Sequence, residues 1–186
     1  MIEPNKTYHF FNQGNNRERI FYKKENYPYF LQKVVIGLRP YGDILAYCLM
    51  PNHFHFLLFL NQEATIVEKV GALEIPKVSL AIKNIQSGYA RAINKQQNRS
   101  GSLFRQRAKL KPVEDGDGNY PLTAFHYIHQ NPVKAGLVKK MEDWSHSSFN
   151  EYWKGAEGVC NQSLAREIID FGNDDFYEQS YSVSVQ

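Results

Sequence analysis

Two apolar runs separated by only two residues set the strongest constraint on how this chain can fold. Ile44 to Met50 and His53 to Leu60 are rich in strand-favouring residues and are joined by Pro51-Asn52, which suits a tight turn. They read as an antiparallel β-hairpin. Side chains alternate between the faces of a strand, so His53 and His55 point one way while Phe54 and Phe56 point the other.

The flanking segments supply what such a hairpin packs against. Tyr8 to Asn12 reads as a short aromatic strand, stopped by the turn formers Gln13-Gly14-Asn15-Asn16. Between Lys24 and Leu38, Tyr27, Phe30, Leu31, Val34, Val35 and Leu38 recur at helical spacing. A second helix is expected from about Pro76 to Asn94, with Val78, Ile82, Ile85, Tyr89 and Ile93 on its apolar face. Leu103 to Val113 reads as a strand and Glu114 to Asn119 as a surface loop. A third helix covers about Pro121 to Gln130, and Pro132 requires it to end or distort at Asn131. Trp144 and Trp153 are expected to pack onto the domain, and the last fifteen or so residues to form a loosely held tail. The order strand, helix, strand, strand, helix, strand, helix predicts an α+β domain, an antiparallel sheet with helices on one face.

Composition bounds the function class. The 186 residues are 42% apolar and 22% charged, which suits one globular domain and argues against disorder. Two cysteines, Cys48 and Cys160, are too few for a disulfide framework and fit a reducing compartment. The apolar run around Phe54 to Leu60 is far short of the about 20 residues that span a bilayer. The first residues lack the layout of a signal peptide, so a soluble, cytoplasmic protein without membrane partners is expected.

The net charge of +3 says little about partners, but its distribution says more. Ile75 to Val113 contains no acidic residue and nine basic ones. Six of these, Lys83, Arg91, Arg99, Arg105, Arg107 and Lys109, are candidate contacts to a nucleic-acid backbone, with Tyr89 and Phe104 as aromatics that could stack on bases. The ordinary alternative is a solvated helix face followed by a basic edge strand.

Two short segments could carry chemistry. His53 and His55, about 7 Å apart along one strand face, can converge on a divalent cation, or can simply be hydrogen-bonded at a sheet surface. A cupin-type His-x-His site needs a glutamate soon after, and positions 56 to 62 hold none. In Tyr127-Ile128-His129-Gln130-Asn131, positions i and i+4 share a helix face, which sets Tyr127 beside Asn131. An amide carbonyl can ligate a hard cation, and a phenol beside a metal-bound phosphate can act as a nucleophile. Alternatively, Tyr127 packs in the core and Asn131 caps the helix. His126 and His129 are expected at the periphery of the site or against nucleic acid.

Together these segments resemble a known family. Met50-Pro51-Asn52-His53-Phe54-His55-Phe56-Leu57-Leu58 is similar to the histidine–hydrophobic–histidine (HUH) motif of the single-tyrosine transposases of bacterial insertion sequences. Tyr127 to Val138, beginning Tyr127-Ile128-His129-Gln130-Asn131-Pro132, resembles the catalytic-tyrosine helix of their REP-associated branch. Tyr8 to Phe21, Gly101 to Gln106 and Asp143 to Ser148 fit as well, so the resemblance covers about residues 7 to 155. It divides the chain into a transposase-like domain, 1–155, and a partly ordered C-terminal extension, 156–186.

The resemblance implies a ferredoxin-like antiparallel sheet with helices packed on it. It implies Tyr127 as nucleophile and His53, His55 and Asn131 as ligands of Mg²⁺ or Mn²⁺, with Asn where the insertion-sequence branch has Gln. The implied activity is cleavage and rejoining of single-stranded DNA through a 5′-phosphotyrosine, often beside a hairpin, in transposition or recombination. It also implies a place at the nucleoid when DNA is bound, and either monomers or homodimers, since relatives do both. Two rivals compete with this reading. One is a domesticated protein that binds a nucleic-acid hairpin without cutting. The other, a small-molecule metallohydrolase, leaves the basic segment without a use.

Overall fold

The computed structural model describes residues 2–113, 120–169, 171 and 176–183. In chain order they form β1 (Lys6–Gln13), α1 (Asn26–Leu38), β2 (Gly42–Met50), β3 (His53–Leu60), α2 (Gln62–Thr65), β4 (Val67–Val70), β5 (Leu73–Pro76) and α3 (Lys77–Gln96). There follow β6 (Lys109–Pro112), α4 (Tyr120–Lys134), α5 (Phe149–Lys154), α6 (Gln162–Ile169) and α7 (Phe176–Ser182).

The hairpin read from the sequence is the centre of the molecule. β2 and β3 pair antiparallel, β1 takes the other side of β3, and β6 adds to β1, which gives the order β2-β3-β1-β6. With α1 and α3 as the two crossovers, this is the ferredoxin-like split βαβ arrangement. The expected surface loop, Glu114 to Asn119, lies outside the described residues.

Alternation along the strands builds two cores. Phe54, Phe56 and Leu58 of β3 join Tyr8 and Phe10 of β1 and meet Phe30 and Val34 of α1 and Ile82, Ile85 and Tyr89 of α3. Leu57 of β3, with Leu45 and Cys48 of β2, meets Phe125 and Ile128 of α4 on the opposite face. Helices therefore cover both faces, where the sequence suggested one. The reason is visible in β2, which is buried at every position from Ile44 to Met50 and so needs an apolar layer on each side. Burying a phenylalanine fully contributes about 1.5–3 kcal/mol, and Phe10, Phe54, Phe56 and Phe125 are all wholly buried.

Three elements differ from expectation for local reasons. The strand expected from Leu103 shrinks to β6, because Arg107 sits at φ +62°, which breaks the extended path, and Phe104 keeps only a single bridge to Gly14. At Gly14 the chain turns so tightly that a Cβ would lie 2.0 Å from the Glu18 carbonyl oxygen, a contact only glycine avoids. α2 and the small β4–β5 hairpin fill the stretch before α3, which had no assignment.

The C-terminal region is more closely packed than a loose tail. Phe171 and Phe176 are buried in the second core, and Gln130 Nε2 donates to the carbonyls of Ser180 and Val183. Residues 172–175 and 184–186 lie outside the described set. Trp144 packs as expected and donates to the Leu49 carbonyl at 3.1 Å, whereas Trp153 is 43% exposed. No helix among the described residues is long and apolar enough to cross a membrane.

His126 and His129 belong to this second core rather than to the periphery of a site or a nucleic-acid surface. Both are fully buried, His126 Nδ1 against Ser180 Oγ at 2.9 Å and His129 Nε2 against Ser148 Oγ at 2.8 Å. Burial lowers His126 from 6.5 to about 4 and holds His129 well below the usual range. The unfolded chain therefore binds protons that the folded one does not, and stability falls as pH drops below 6.5. Thermal unfolding at pH 7.5 and pH 5 should show the loss. His126→Gln should reduce it, whereas an unaltered pH dependence in that variant would assign the effect to other groups.

Candidate active site

The strand register assembles a polar site at one end of the face covered by α4. On β1, Gln13 stands opposite His53 and Phe11 opposite His55. β6 extends the rows with Lys109 opposite Phe11 and Lys111 opposite His9. The His53 and His55 rings are 5.1 Å apart, edge to face. On α4, Phe125 and Ile128 are buried in the second core, and the half-buried Tyr127 reaches to 5.6 Å from the His55 ring. His53, His55 and Tyr127 thus line one cleft of about 310 Å³, with Phe11, Arg105, Gln106, Arg107 and Lys109.

Asn131 stands apart from this cleft's lining. α4 does not end at Asn131 but continues through Pro132 to Lys134 and closes at Gly136, whose φ is +67°. Pro132 has no N–H to give the Ile128 carbonyl. One residue earlier, Asn131 Nδ2 donates to the Tyr127 carbonyl at 2.8 Å. The amide is therefore tied to the turn that carries Tyr127, and Oδ1 is its remaining acceptor. Lys134 adds an ammonium 5.9 Å from the centre of the Tyr127 ring.

The histidines suit a cation in their charge state and in the atoms they leave free. Burial lowers His53, and burial together with the neighbouring His9 and His53 holds His55 well below its usual value, so both are neutral near pH 7. Each Nδ1 already has a neighbour: Asn52 Oδ1 lies 2.6 Å from that of His53, and His9 Nε2 lies 2.9 Å from that of His55. Each Nε2 remains to ligate. Among the described residues no three His, Cys, Asp or Glu side chains converge on one point. The cleft therefore brings together two imidazoles, while Asn131, the expected third ligand, lies outside its lining.

His9 escaped the sequence reading. The signal was its alternation on β1, which sets it on the same sheet face as His53 and His55 once β1 is known to pair with β3. Burial and, after it, Lys111 push it down to about 4.

The basic residues divide into distinct settings. Arg105, Arg107 and Lys109 are exposed along the cleft that holds Tyr127. Arg105 and Arg107 also border a larger cleft of about 730 Å³ between α3 and the 101–110 segment, where Lys83 and Arg91 lie. Arg99 is instead paired with Glu18 at 3.0 Å, so much of its charge is already compensated. Tyr89 is fully buried, with its hydroxyl donated to the Ile20 carbonyl, and Phe104 packs on Phe30, Phe54 and Tyr89. Tyr89 is thereby unavailable for base stacking, and Phe104, 6% exposed, offers little surface for it. Buried Asn12 secures the Arg105 loop, with its Nδ2 donating to Gln86 Oε1 at 2.6 Å and to the Arg105 carbonyl at 3.3 Å.

Comparison with known proteins bears on the fold of this chain. No family model matches the chain. A Haemophilus influenzae protein named for the REP-associated tyrosine transposases is 28% identical over 112 residues, which covers 58% of this chain and 59% of that protein. The chain thus spans somewhat over half the length of this curated relative. A solved REP-associated tyrosine transposase, bound in that structure to a REP hairpin, superposes with a TM-score of 0.62 at 20% identity, covering 86% of this chain and 87% of the other. A curated relative in sequence and a solved structure in fold thus both carry the name REP-associated tyrosine transposase.

Proposed function

We propose that this protein cuts and rejoins single-stranded DNA beside a hairpin, with Tyr127 as the nucleophile. The observation that carries the reading is the convergence of Tyr127, His53 and His55 in one cleft bordered by exposed Arg105, Arg107 and Lys109. The names of the curated relative and of the structural neighbour favour the same chemistry and a hairpin partner.

The Tyr127 hydroxyl attacks the scissile phosphorus. A P–Oη bond forms and the bond to the 3′ oxygen breaks, so a 5′-phosphotyrosine and a free 3′-OH result, the phenolic proton being lost as that hydroxyl is gained. Attack by another 3′-OH on the phosphotyrosine reverses the step and joins a strand. Each step exchanges one phosphodiester for another, so no nucleoside triphosphate is consumed. His53, His55 and Asn131 would hold Mg²⁺ or Mn²⁺, which when bound would polarise a non-bridging phosphate oxygen. Arg105, Arg107 and Lys109 draw the phosphate backbone to the cleft, and Lys83 and Arg91 extend that surface along α3.

The test is incubation with Mn²⁺ and a library of hairpin-bearing single strands, followed by sequencing of DNA that stays attached after denaturation. Enrichment of one hairpin with a fixed 5′ attachment point is expected. Tight hairpin binding with no covalent product would instead establish a binding protein that does not cut.

The basic residues make a separate prediction. Each neutralised phosphate contributes a slope of about −0.7 in log K against log salt for single strands. Arg105→Ala with Arg107→Ala should flatten the slope by about 1 to 1.5, while Arg99→Ala, whose charge is engaged by Glu18, should change it little. Equal slopes in the wild type and the double variant would remove these arginines from the interface.

A further inference from the structure

We infer that His9 is a positioning residue for His55: its Nε2 accepts the Nδ1–H of His55 and fixes the tautomer that leaves the His55 Nε2 lone pair free. This inference rests on the reading of His53 and His55 as cation ligands. Strand register makes the contact possible. His9 lies opposite Leu57 and is therefore diagonal to His55, within reach of a long or aromatic side chain.

The two rings stack at 5.0 Å with the nitrogens 2.9 Å apart. Phe11 stacks on the His55 ring at 5.8 Å and Tyr127 stands edge-on to both imidazoles. His55 is 7% exposed, so its ring has no room to turn and its hydrogen bond decides which nitrogen carries the proton.

The direction of the bond follows from the pair it belongs to. At His53, the Nδ1 neighbour is the Asn52 side-chain oxygen Oδ1, which can only accept, so His53 carries its proton on Nδ1 and offers Nε2. His55 is a ligand alongside it only in the same tautomer. That tautomer requires an acceptor at its Nδ1, and His9 Nε2 is the group located there. His9 then holds its own proton on Nδ1. Ligating histidines ordinarily have their second ring nitrogen engaged in this way, and loss of such a partner costs about 10–100-fold in metal affinity.

The experiment is a nitrogen-detected histidine spectrum of the full chain without metal, followed by Mn²⁺ titration of wild type, His9→Phe and His9→Gln. In the wild type, His55 should appear as a single Nδ1–H tautomer. His9→Phe keeps the ring stack but offers no acceptor, so His55 should become a mixture of tautomers and Mn²⁺ affinity should fall about 10–100-fold. His9→Gln restores an acceptor at the end of a side chain of similar reach and should recover most of that loss.

An Nε2–H tautomer at His55 in the wild type overturns the assignment, as does His9→Phe with unchanged tautomer and affinity. A purely structural role would give equal losses in both variants, and that too rejects it. Failure of the wild type to bind Mn²⁺ would refute the metal reading of the cleft. The metal-free spectrum would still decide the role of His9.

Discussion

Tyr127→Phe should eliminate the covalent DNA adduct while leaving hairpin binding within about twofold of wild type. The substitution removes one oxygen and almost no volume. Tyr127 is half-buried between the second core and the cleft, and among the described residues no other side chain lines that cleft with a phenol. An adduct that survives denaturation needs a nucleophile, so the band shifted by attached DNA should vanish entirely rather than weaken. Tyr127→Phe should unfold at the wild-type temperature, because its ring keeps its contacts with His55 and His9. If the adduct persists in the variant, or maps to a different tyrosine, the nucleophile has been misassigned. Asn131→Ala makes an informative companion. It keeps the phenol but removes the Nδ2 bond to the Tyr127 carbonyl and the proposed third ligand, so it should slow the reaction without abolishing it.

The second large effect is expected at the histidine pair. Replacing both His53 and His55 with Ala should abolish divalent-cation binding and reduce adduct formation by more than about 100-fold, beyond what loss of a supporting group costs. The folding consequences should be unequal. His53 is partly exposed and its loss should be nearly neutral, whereas His55 is stacked between Phe11 and His9 and its loss leaves a gap. His55→Gln fills more of that space and is the better probe of function alone. Cleavage at the wild-type rate by the double variant would reject the ligand role. Retained metal binding in it would shift the search to other donors.

Those two predictions draw on different depths of the sequence. The hairpin was legible because Pro51-Asn52 separates two strand-like runs, and backbone alternation then puts His53 and His55 on one face whatever packs above them. The helical spacing of Tyr127 and Asn131 was equally local. Legibility failed where a neighbour decides. Nothing within Tyr8 to Asn12 shows that His9 will meet His55, because that depends on the pairing of β1 with β3 and on its register. Nor does the run of basic residues reveal that Arg99 is engaged by Glu18, 81 positions away, while Arg105 and Arg107 are exposed along two clefts. His126 and His129 were expected at the periphery of the site or against nucleic acid, yet a second core closes over them.

The sequence by itself determined the β2–β3 hairpin, the face shared by the two histidines and the turn shared by Tyr127 and Asn131, because each follows from backbone periodicity over a few residues. Only the tertiary structure decided that helices cover both faces of the sheet, that α4 runs through Pro132, and that His9 rather than His126 or His129 joins the site. Those outcomes depend on which apolar surfaces meet. Burial energy is collected between segments far apart in the chain, and a local pattern carries no record of its partner.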